Sequence, residues 1–317
     1  MESVQRRALM VILAAAALTA AGCGKPVNEQ MTLAVIGDTP YGPEQIAAFP
    51  ELVDDVNGDP DVDAVLHLGD VKLGSSPCTD ERLQTSLHLY QTFTDPFVLT
   101  PGDNEWTDCH QLAAGRFMPT ERLGRVRELF YPKPGTTLGV RPMRVDTQSA
   151  DPAFAEFVEN TLWVHSEVVF STVHVVGSRN ALAPWFGGQE TQDQRERRQT
   201  EYEHRLQADL AWLRRTFAEA ERQGARGIVV GMHADSFTAD RRGMEAVNAR
   251  MEELAAAFDG PVLLLQGDTH LYKVDRPLAG ARNLTRVVVE GETAQEWLRL
   301  RVDPGGDRLF SWERQLL

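Results

Sequence analysis

Four apolar runs of strand length in this sequence each lead into the pair Gly-Asp. The runs cover residues 33–36, 65–68, 97–100 and 262–266, and the aspartates that follow them are Asp38, Asp70, Asp103 and Asp268. A short apolar run that stops at a turn signal is typical of a buried strand. Parallel strands present their carboxyl ends at one edge, where α/β proteins place their ligands. The pattern therefore predicts an α/β fold in which four carboxylates converge.

Two histidines belong to the same pattern. His233 follows a fifth apolar run at 228–231, and His270 comes two residues after Asp268. Carboxylates about 4 Å apart repel each other by roughly 4 kcal/mol per pair at an effective dielectric constant near 20. Divalent cations offset this repulsion, and aspartate oxygens and imidazole nitrogens are ligands that they use. A metal site is expected, with Lys72 as the alternative source of positive charge.

The segments between these runs predict the rest of an α/β domain. Helices are expected over 44–57 with a break near Pro50, and over 80–93, 189–223 and 244–258. A further strand is expected over 168–176, and residues 131–152 read as an irregular segment. Strands over 284–289, 296–302 and 309–314 predict an antiparallel closing sheet. Three arginines at the start of the long helix indicate a solvated face rather than a phosphate clamp: Arg195, Arg197 and Arg198.

The first 22 residues have the features of an export signal. Arg6 and Arg7 precede an apolar stretch, 8–21, that is too short to span a bilayer comfortably. Cys23 follows at once, and residues 18–23 resemble the bacterial lipobox, in which this cysteine is lipidated. A plain secretory signal with an incidental cysteine is the alternative. We expect an exported lipoprotein of the bacterial cell envelope, with a tether over 23–30 and one domain over 31–317.

Charge and cysteine content narrow the partners further. A formal net charge of −14 at pH 7 opposes binding to nucleic acid backbones. A monomer that acts on small-molecule or surface substrates is expected, held at the membrane by its lipid. Cys78 and Cys109 each follow a Gly-Asp turn, so in an oxidising compartment the two predict a disulfide rather than free thiols or metal ligands.

The motifs in their order resemble those of the calcineurin-like metallophosphoesterases. The series is Asp38, Gly69-Asp70, Gly102-Asp103-Asn104-Glu105, His233 and Gly267-Asp268-Thr269-His270, and the resemblance covers about residues 31 to 300. It implies the αββα fold of that family, a sandwich of two mixed sheets flanked by helices, with the metal site at the strand carboxyl ends. It also implies hydrolysis of phosphate esters.

The resemblance assigns metal-binding roles by position. Asp70 would bridge two metals, Asp38 and His270 would complete one site, and the other site would take Asp103, His233 and Asp268. A water made acidic by the metals would then attack phosphorus. One or two divalent ions are expected, and the oxygen-rich ligand set favours Mn, Mg or Fe over Zn.

Several positions depart from the family pattern. Pro40 stands where the family has a histidine ligand, and Tyr41 is close enough in sequence to reach the same place. Asn104 replaces the histidine that protonates the leaving group, so His110 and Lys72 are the candidates for that role. Lys72 has two further interpretations, as a phosphate-binding cation or as a substitute for a lost metal. His67, inside a strand, is predicted to be a packed residue.

The leading hypothesis is an exported, metal-dependent hydrolase of phosphate mono- or diesters. The alternative is a catalytically eroded relative that serves as a binding protein at the cell envelope. A purely structural envelope protein would explain the export signal but not the acidic edge. The loops over 106–160 and 181–198 carry no motif that predicts a substrate.

Overall fold

Two β-sheets packed face to face, with helices on both outer sides, form the structure. It is a computed structural model that describes residues 30–293 and 295–317. The predicted export signal, Cys23 and nearly all of the tether lie outside the described residues. The elements, in chain order, are β1 (Met31–Ile36), α1 (Gly42–Gly58), β2 (Val62–His67), α2 (Asp80–Tyr90), β3 (Phe97–Leu99), α3 (Pro119–Phe130), β4 (Asp146–Thr147), β5 (Thr161–His165), β6 (Val168–Thr172), α4 (Gly177–Asn180), α5 (Gln192–Gln223), β7 (Gly227–Gly231), α6 (Glu245–Ala257), β8 (Val262–Gln266), β9 (Lys273–Asp275), β10 (Leu284–Val288), β11 (Glu296–Val302) and β12 (Phe310–Leu316).

The two sheets share a mixed topology. The first has the strand order β12-β11-β1-β2-β3, and the second has the order β4-β5-β6-β7-β8-β10-β9. Strands β1, β2 and β3 are parallel to one another, as are β6, β7, β8 and β10. Each sheet therefore presents a row of parallel carboxyl ends, and the remaining strands close the sheets in antiparallel pairings.

Three apolar layers hold this sandwich together. Leu33, Leu66 and Phe170 belong to the layer between the two sheets. A second layer packs α1, α2 and α3 against the first sheet, and a third packs α5 and α6 against the second sheet. Strands buried on both faces explain the continuous apolar runs seen in the sequence. No helix in the described part of the chain is both long and apolar enough to cross a membrane.

Three local predictions are wrong. Helix α1 runs through Pro50 without a break. Pro50 is exposed, while Phe49 and Leu52 stay packed in the core. The carbonyl four residues before Pro50, which loses its helical hydrogen bond, is therefore on the solvent side. Strand β10 does not join the antiparallel closing sheet: it pairs in parallel with β8. Arg198 is not solvated, because its guanidinium is bonded to Glu190 and to the Leu182 carbonyl.

Candidate metal centre

The strand ends of both sheets meet at one acidic centre, which we define as Asp38, Asp70, Asp103, His233, Asp268 and His270. The turns after β1, β2 and β3 carry the first three aspartates, and the turns after β7 and β8 carry the other three residues. Asp38 and His233 are fully buried, and Asp70 and Asp103 nearly so. The structure thus brings all six predicted metal ligands to the same place.

The backbone at this centre is held in an unusual conformation. Four of its residues have positive φ: Asp38 at 55°, Asp70 at 59°, Asp268 at 75° and His270 at 52°. Non-glycine residues adopt this region rarely, and clusters of them occur where the surrounding structure fixes a functional geometry. The left-handed turns explain why a Gly-Asp pair follows the strands, since Asp is one of the few side chains that tolerate them.

His233 is oriented as a metal-binding histidine. Its Nδ1 donates to the Leu68 carbonyl at 2.8 Å, so Nε2 is the nitrogen that can bind a metal when the ring is neutral. That nitrogen lies 3.0 Å from Asp103 Oδ1, 3.4 Å from Asp70 Oδ1 and 3.9 Å from Asp268 Oδ1. Histidine ligands typically donate their second ring nitrogen in this way, which fixes the tautomer and the ring.

On the other side of the centre, Asp38 and His270 form a separate pair. The Asp268 backbone N–H lies 3.1 Å from each oxygen of Asp38. His270 Nε2 lies 3.3 Å from Asp38 Oδ1, and its Nδ1 lies 2.7 Å from Glu292 Oε2. The His270 ring is therefore placed between two carboxylates.

Asp70, the carboxylate expected to bridge two metals, is bonded to protein donors at both oxygens. Its Oδ1 accepts the Asn104 backbone N–H at 2.9 Å. Its Oδ2 accepts the Tyr41 hydroxyl at 2.7 Å and also the Asn104 side-chain amide. The same amide lies 3.0 Å from the Tyr41 oxygen. Tyr41 thus reaches the centre, and the Asn104 side chain is engaged with Asp70 rather than free to protonate a leaving group.

Burial and crowded carboxylates shift the pKa values of the groups at the centre. Burial raises the pKa of the Asp70 carboxyl well above its usual range, and the neighbouring Asp103 raises it further. Burial and Asp103 likewise raise the pKa of Asp268 to about 7. For His233, burial lowers the pKa, but the carboxylates around it outweigh burial and raise it well above the usual value.

The donor set fits a divalent cation. The described residues contain two groups of ligand atoms, and within each group the atoms lie within 4.8 Å of one another. The groups are Asp38, Asp70 and His233, and Asp103, His233 and Asp268. Oxygen-rich sets with one imidazole suit Mn²⁺, Mg²⁺ or Fe²⁺. Gly177 lies against this side of the centre, where any side chain would clash, because a Cβ on it would lie 2.7 Å from Asp103 Oδ2 and 2.8 Å from Asp268 Oδ1.

Lys72 and His110, the two candidates to protonate the leaving group, lie in different surroundings. Lys72 is fully buried and donates to the Leu73 carbonyl at 3.1 Å. Burial lowers its pKa to about 8, and within the described residues it has no ion pair with Asp38 or Asp70. His110 Nδ1 accepts the Phe186 backbone N–H at 3.0 Å, and its ring packs on Phe186. No hydrogen bond or ion pair joins His110 to the acidic centre in the described ranges.

Two other predictions are confirmed near the centre. His67 is a packed residue: its Nδ1 accepts the Gly69 N–H, its Nε2 lies 2.8 Å from the Thr39 carbonyl, and its ring contacts Tyr90. Cys78 and Cys109 form a disulfide with a Cα–Cα distance of 5.7 Å. The disulfide joins the loop after Lys72 to the loop after Asn104, and so braces the rim of the acidic centre.

Sequence reasoning missed several residues that support the centre. The Asp235 backbone N–H donates to Asp268 Oδ2 at 3.2 Å, and the Asp235 side chain is paired with buried Arg286. Ser178 donates to Asp108 at 2.7 Å, and burial raises the pKa of Asp108 to about 7. The polar sequence His-Ala-Asp-Ser after β7 could have indicated Asp235 as a site residue. Asp108 and Arg286 could not be found in this way, because their partners are distant in sequence.

Comparison with known proteins identifies the family. The model of the calcineurin-like phosphoesterases matches residues 31–272, which include every member of the acidic centre. The chain belongs to this family. Its fold class and the resemblance inferred from the motif series are thereby confirmed, and the family supports a phosphoester hydrolase that uses divalent metals.

Similar solved structures have low sequence identity to this chain. A dimetal phosphatase from Danio rerio is 14% identical with a TM-score of 0.54, over 85% of this chain and 92% of that protein. A purple acid phosphatase, PPD1, from yellow lupin (Lupinus luteus) seeds is 10% identical with a TM-score of 0.48, over 92% of this chain and 52% of the lupin chain. The search of curated proteins found no match. At its identity the Danio rerio structure shows the fold alone.

Proposed function

We propose that this protein is a metal-dependent hydrolase of phosphate mono- or diesters. The observation that carries the proposal is His233, whose Nδ1 is fixed on the Leu68 carbonyl and whose Nε2 is 3.0 Å from Asp103. With Asp268 it forms a buried group of ligand atoms at the strand ends. A divalent cation bound there would polarise a phosphoryl oxygen and make a bound water acidic.

The chain's own residues would prepare this chemistry. His233, Asp103 and Asp268 hold the cation, and Asp70 adds a carboxylate to its surroundings. Gly177 leaves no side chain over these carboxylates, so that a phosphate group can approach them. The Asp235 backbone N–H holds Asp268 in place through Asp268 Oδ2. The other oxygen of Asp268 is left for the cation.

The proposed setting follows from the sequence. The N-terminal segment supports export and a lipid anchor at Cys23, so the substrate would be a small molecule or a surface phosphoester outside the cytoplasm. The disulfide between Cys78 and Cys109 supports an oxidising compartment. A monomer without nucleic acid partners fits the net charge of −14.

The second candidate function is a binding protein with an eroded centre. Asn104 at the place of the family's acid favours it, because an amide cannot protonate a leaving group. Such a protein would bind a cation or phosphate and turn nothing over.

Metal content and turnover of the purified mature protein distinguish the two functions. We expect bound Mn²⁺ and hydrolysis of nitrophenyl phosphate mono- or diesters, with both lost in Asp70→Asn. The control is Asp54→Asn on the exposed side of α1, which should behave like wild type. Bound metal without turnover supports the binding protein, and full activity in Asp70→Asn contradicts the catalytic proposal.

A further inference from the structure

The arrangement around Asp70 limits how many cations the centre can hold. Three donors point at its two oxygens: the Asn104 backbone N–H, the Asn104 side-chain amide and the Tyr41 hydroxyl. Asp70 Oδ1 is also pressed against the backbone of Gly102, where a Cβ would lie 2.1 Å away. A carboxylate has about four lone-pair positions, so one position remains, on the Oδ1 side that faces His233.

The two groups of ligand atoms compete for one nitrogen. Both contain His233, and its Nδ1 is already committed to the Leu68 carbonyl. A neutral imidazole then has a single lone pair, on Nε2, and it can bind one ion. The ring lies nearer to Asp103 Oδ1, at 3.0 Å, than to Asp70 Oδ1, at 3.4 Å. The group with Asp103 and Asp268 is therefore the better supplied of the two.

The Asp38 side of the centre is already engaged with protein groups. The oxygens of Asp38 face the Asp268 N–H and His270 Nε2, and His270 is held from behind by Glu292. Pro40 supplies no ligand here. Tyr41, the next residue, packs its ring against His270 at 5.6 Å between centroids and places its hydroxyl on Asp70.

We propose that Tyr41, together with Asn104, makes this a one-cation centre. The single ion binds to Asp103, His233 and Asp268 with Asp70 Oδ1 beside it, while the Tyr41 hydroxyl keeps Asp70 Oδ2 from serving a second ion next to Asp38. The inference rests on the proposed metal-dependent function and departs from the two-metal bridge that the motif series implies. Removal of the Tyr41 hydroxyl should open the second position.

The test measures the number of Mn²⁺ ions bound per chain rather than catalytic activity. Mature protein is dialysed to equilibrium against Mn²⁺, its metal content is measured, and its Mn²⁺ electron paramagnetic resonance spectrum is recorded. We expect one ion per chain with the spectrum of an isolated ion. Tyr41→Phe should bind a second ion at least tenfold more tightly than wild type and show a spin-coupled pair. The matched control is Tyr202→Phe on α5, which removes a hydroxyl bonded to the Gly243 carbonyl and should bind one ion.

A pair of aspartate variants locates the ion. Asp268→Asn should weaken Mn²⁺ binding by more than about 100-fold, since loss of even a supporting partner costs 10- to 100-fold. Asp38→Asn should keep the single ion. Thermal unfolding of each variant shows whether it has folded.

Four results would overturn the inference. Two ions of similar affinity in wild type, with activity intact, would refute it and leave the proposed function standing. One ion in both wild type and Tyr41→Phe would remove Tyr41 from the explanation. Weaker binding in Tyr41→Phe would make Tyr41 a ligand instead. No bound ion in wild type would refute the proposed function itself.

Discussion

Two buried polar clusters lie close together in this molecule and balance their charge in opposite ways. The acidic centre has four carboxylates and two imidazoles. The second, which we call the Arg205 cluster, consists of Arg127, Glu159, Asn160, His174, Arg205 and Asp209. Glu159 is 2.6 Å from the guanidinium of Arg127 and 2.7 Å from His174 Nδ1.

The Arg205 cluster contains its own cations, Arg127 and Arg205. Arg205 donates to the His174 carbonyl and to Asn180, and Asn160 donates to Asp209 at 3.1 Å. Burial raises the pKa of Glu159, but Arg127 and His174 more than compensate and bring it to about 2. In the acidic centre burial raises the pKa values of Asp70 and Asp268, and the ion-pair partners of the carboxylates among the described residues are histidines rather than arginines. Buried arginine partners are typical of a structural cluster, whereas crowded carboxylates without them are typical of a cation-binding site.

The largest expected effect is a loss of metal binding when the acidic centre is altered. His233→Ala removes the only imidazole shared by both groups of ligand atoms, so we expect Mn²⁺ affinity and phosphoester hydrolysis to fall by more than about 100-fold. Equilibrium dialysis and a nitrophenyl phosphate assay measure these. The control is His204→Ala, at a partly exposed position beside Glu156. Unchanged metal content in His233→Ala would contradict the assignment.

The next effect concerns stability. Arg205→Met leaves Glu201 without its guanidinium partner, and removal of one partner from a buried pair costs about 3 to 5 kcal/mol. Urea unfolding should show this loss equally with Mn²⁺ or with a chelator. Arg214→Met, at an exposed position of the same helix, should cost little. A loss that disappears in excess Mn²⁺ would mean that the two clusters are not separate.

The disulfide should matter for both stability and metal affinity. Its cysteines are 31 residues apart in sequence, and a cross-link of this kind contributes about 2 to 4 kcal/mol. We expect Cys78→Ser/Cys109→Ser to lose that stability and to bind Mn²⁺ more weakly, because the two loops at the rim of the acidic centre are then untied. If the double variant binds Mn²⁺ as tightly as wild type, the disulfide contributes to stability but not to metal affinity.

The last effect is a pH dependence from Asp209. Burial raises its pKa to about 8, although Arg205 and Asn160 lower it and Glu159 and Glu201 add to the rise. The unfolded state ionises at about pH 4 and the folded state does not, so stability should decrease as the pH rises from about 4 to 8. Asp209→Asn should flatten this slope and be more stable than wild type at pH 8.

Unfolding of Asp209→Asn in urea across that pH range measures the slope. Glu203→Gln, at an exposed position of the same helix, is the control and should leave the slope unchanged. An Asp209→Asn variant that loses stability at pH 8 would show that the carboxylate is ionised and paired with Arg205.

The sequence was sufficient for the acidic centre because each of its residues ends a strand. An apolar run followed by Gly-Asp fixes both the strand and the location of its carboxylate, as with Asp70. The Arg205 cluster has no such local signal: Asn160 and Asp209 are 49 residues apart, and they meet only because α5 packs beside β6. Strand β10 shows the same limit, since its apolar pattern does not say which sheet it joins.

The left-handed turns at Asp38, Asp70 and Asp268 also restrict how this protein can change in evolution. A β-branched or bulky apolar residue at any of them would strain the backbone as well as remove a charge, whereas Asn and Gly fit a positive φ. Loss of the metal-binding function would therefore leave a readable trace. Descendants that abandon it while keeping the fold should accumulate Asn and Gly at these three positions, and those that keep it should retain Asp.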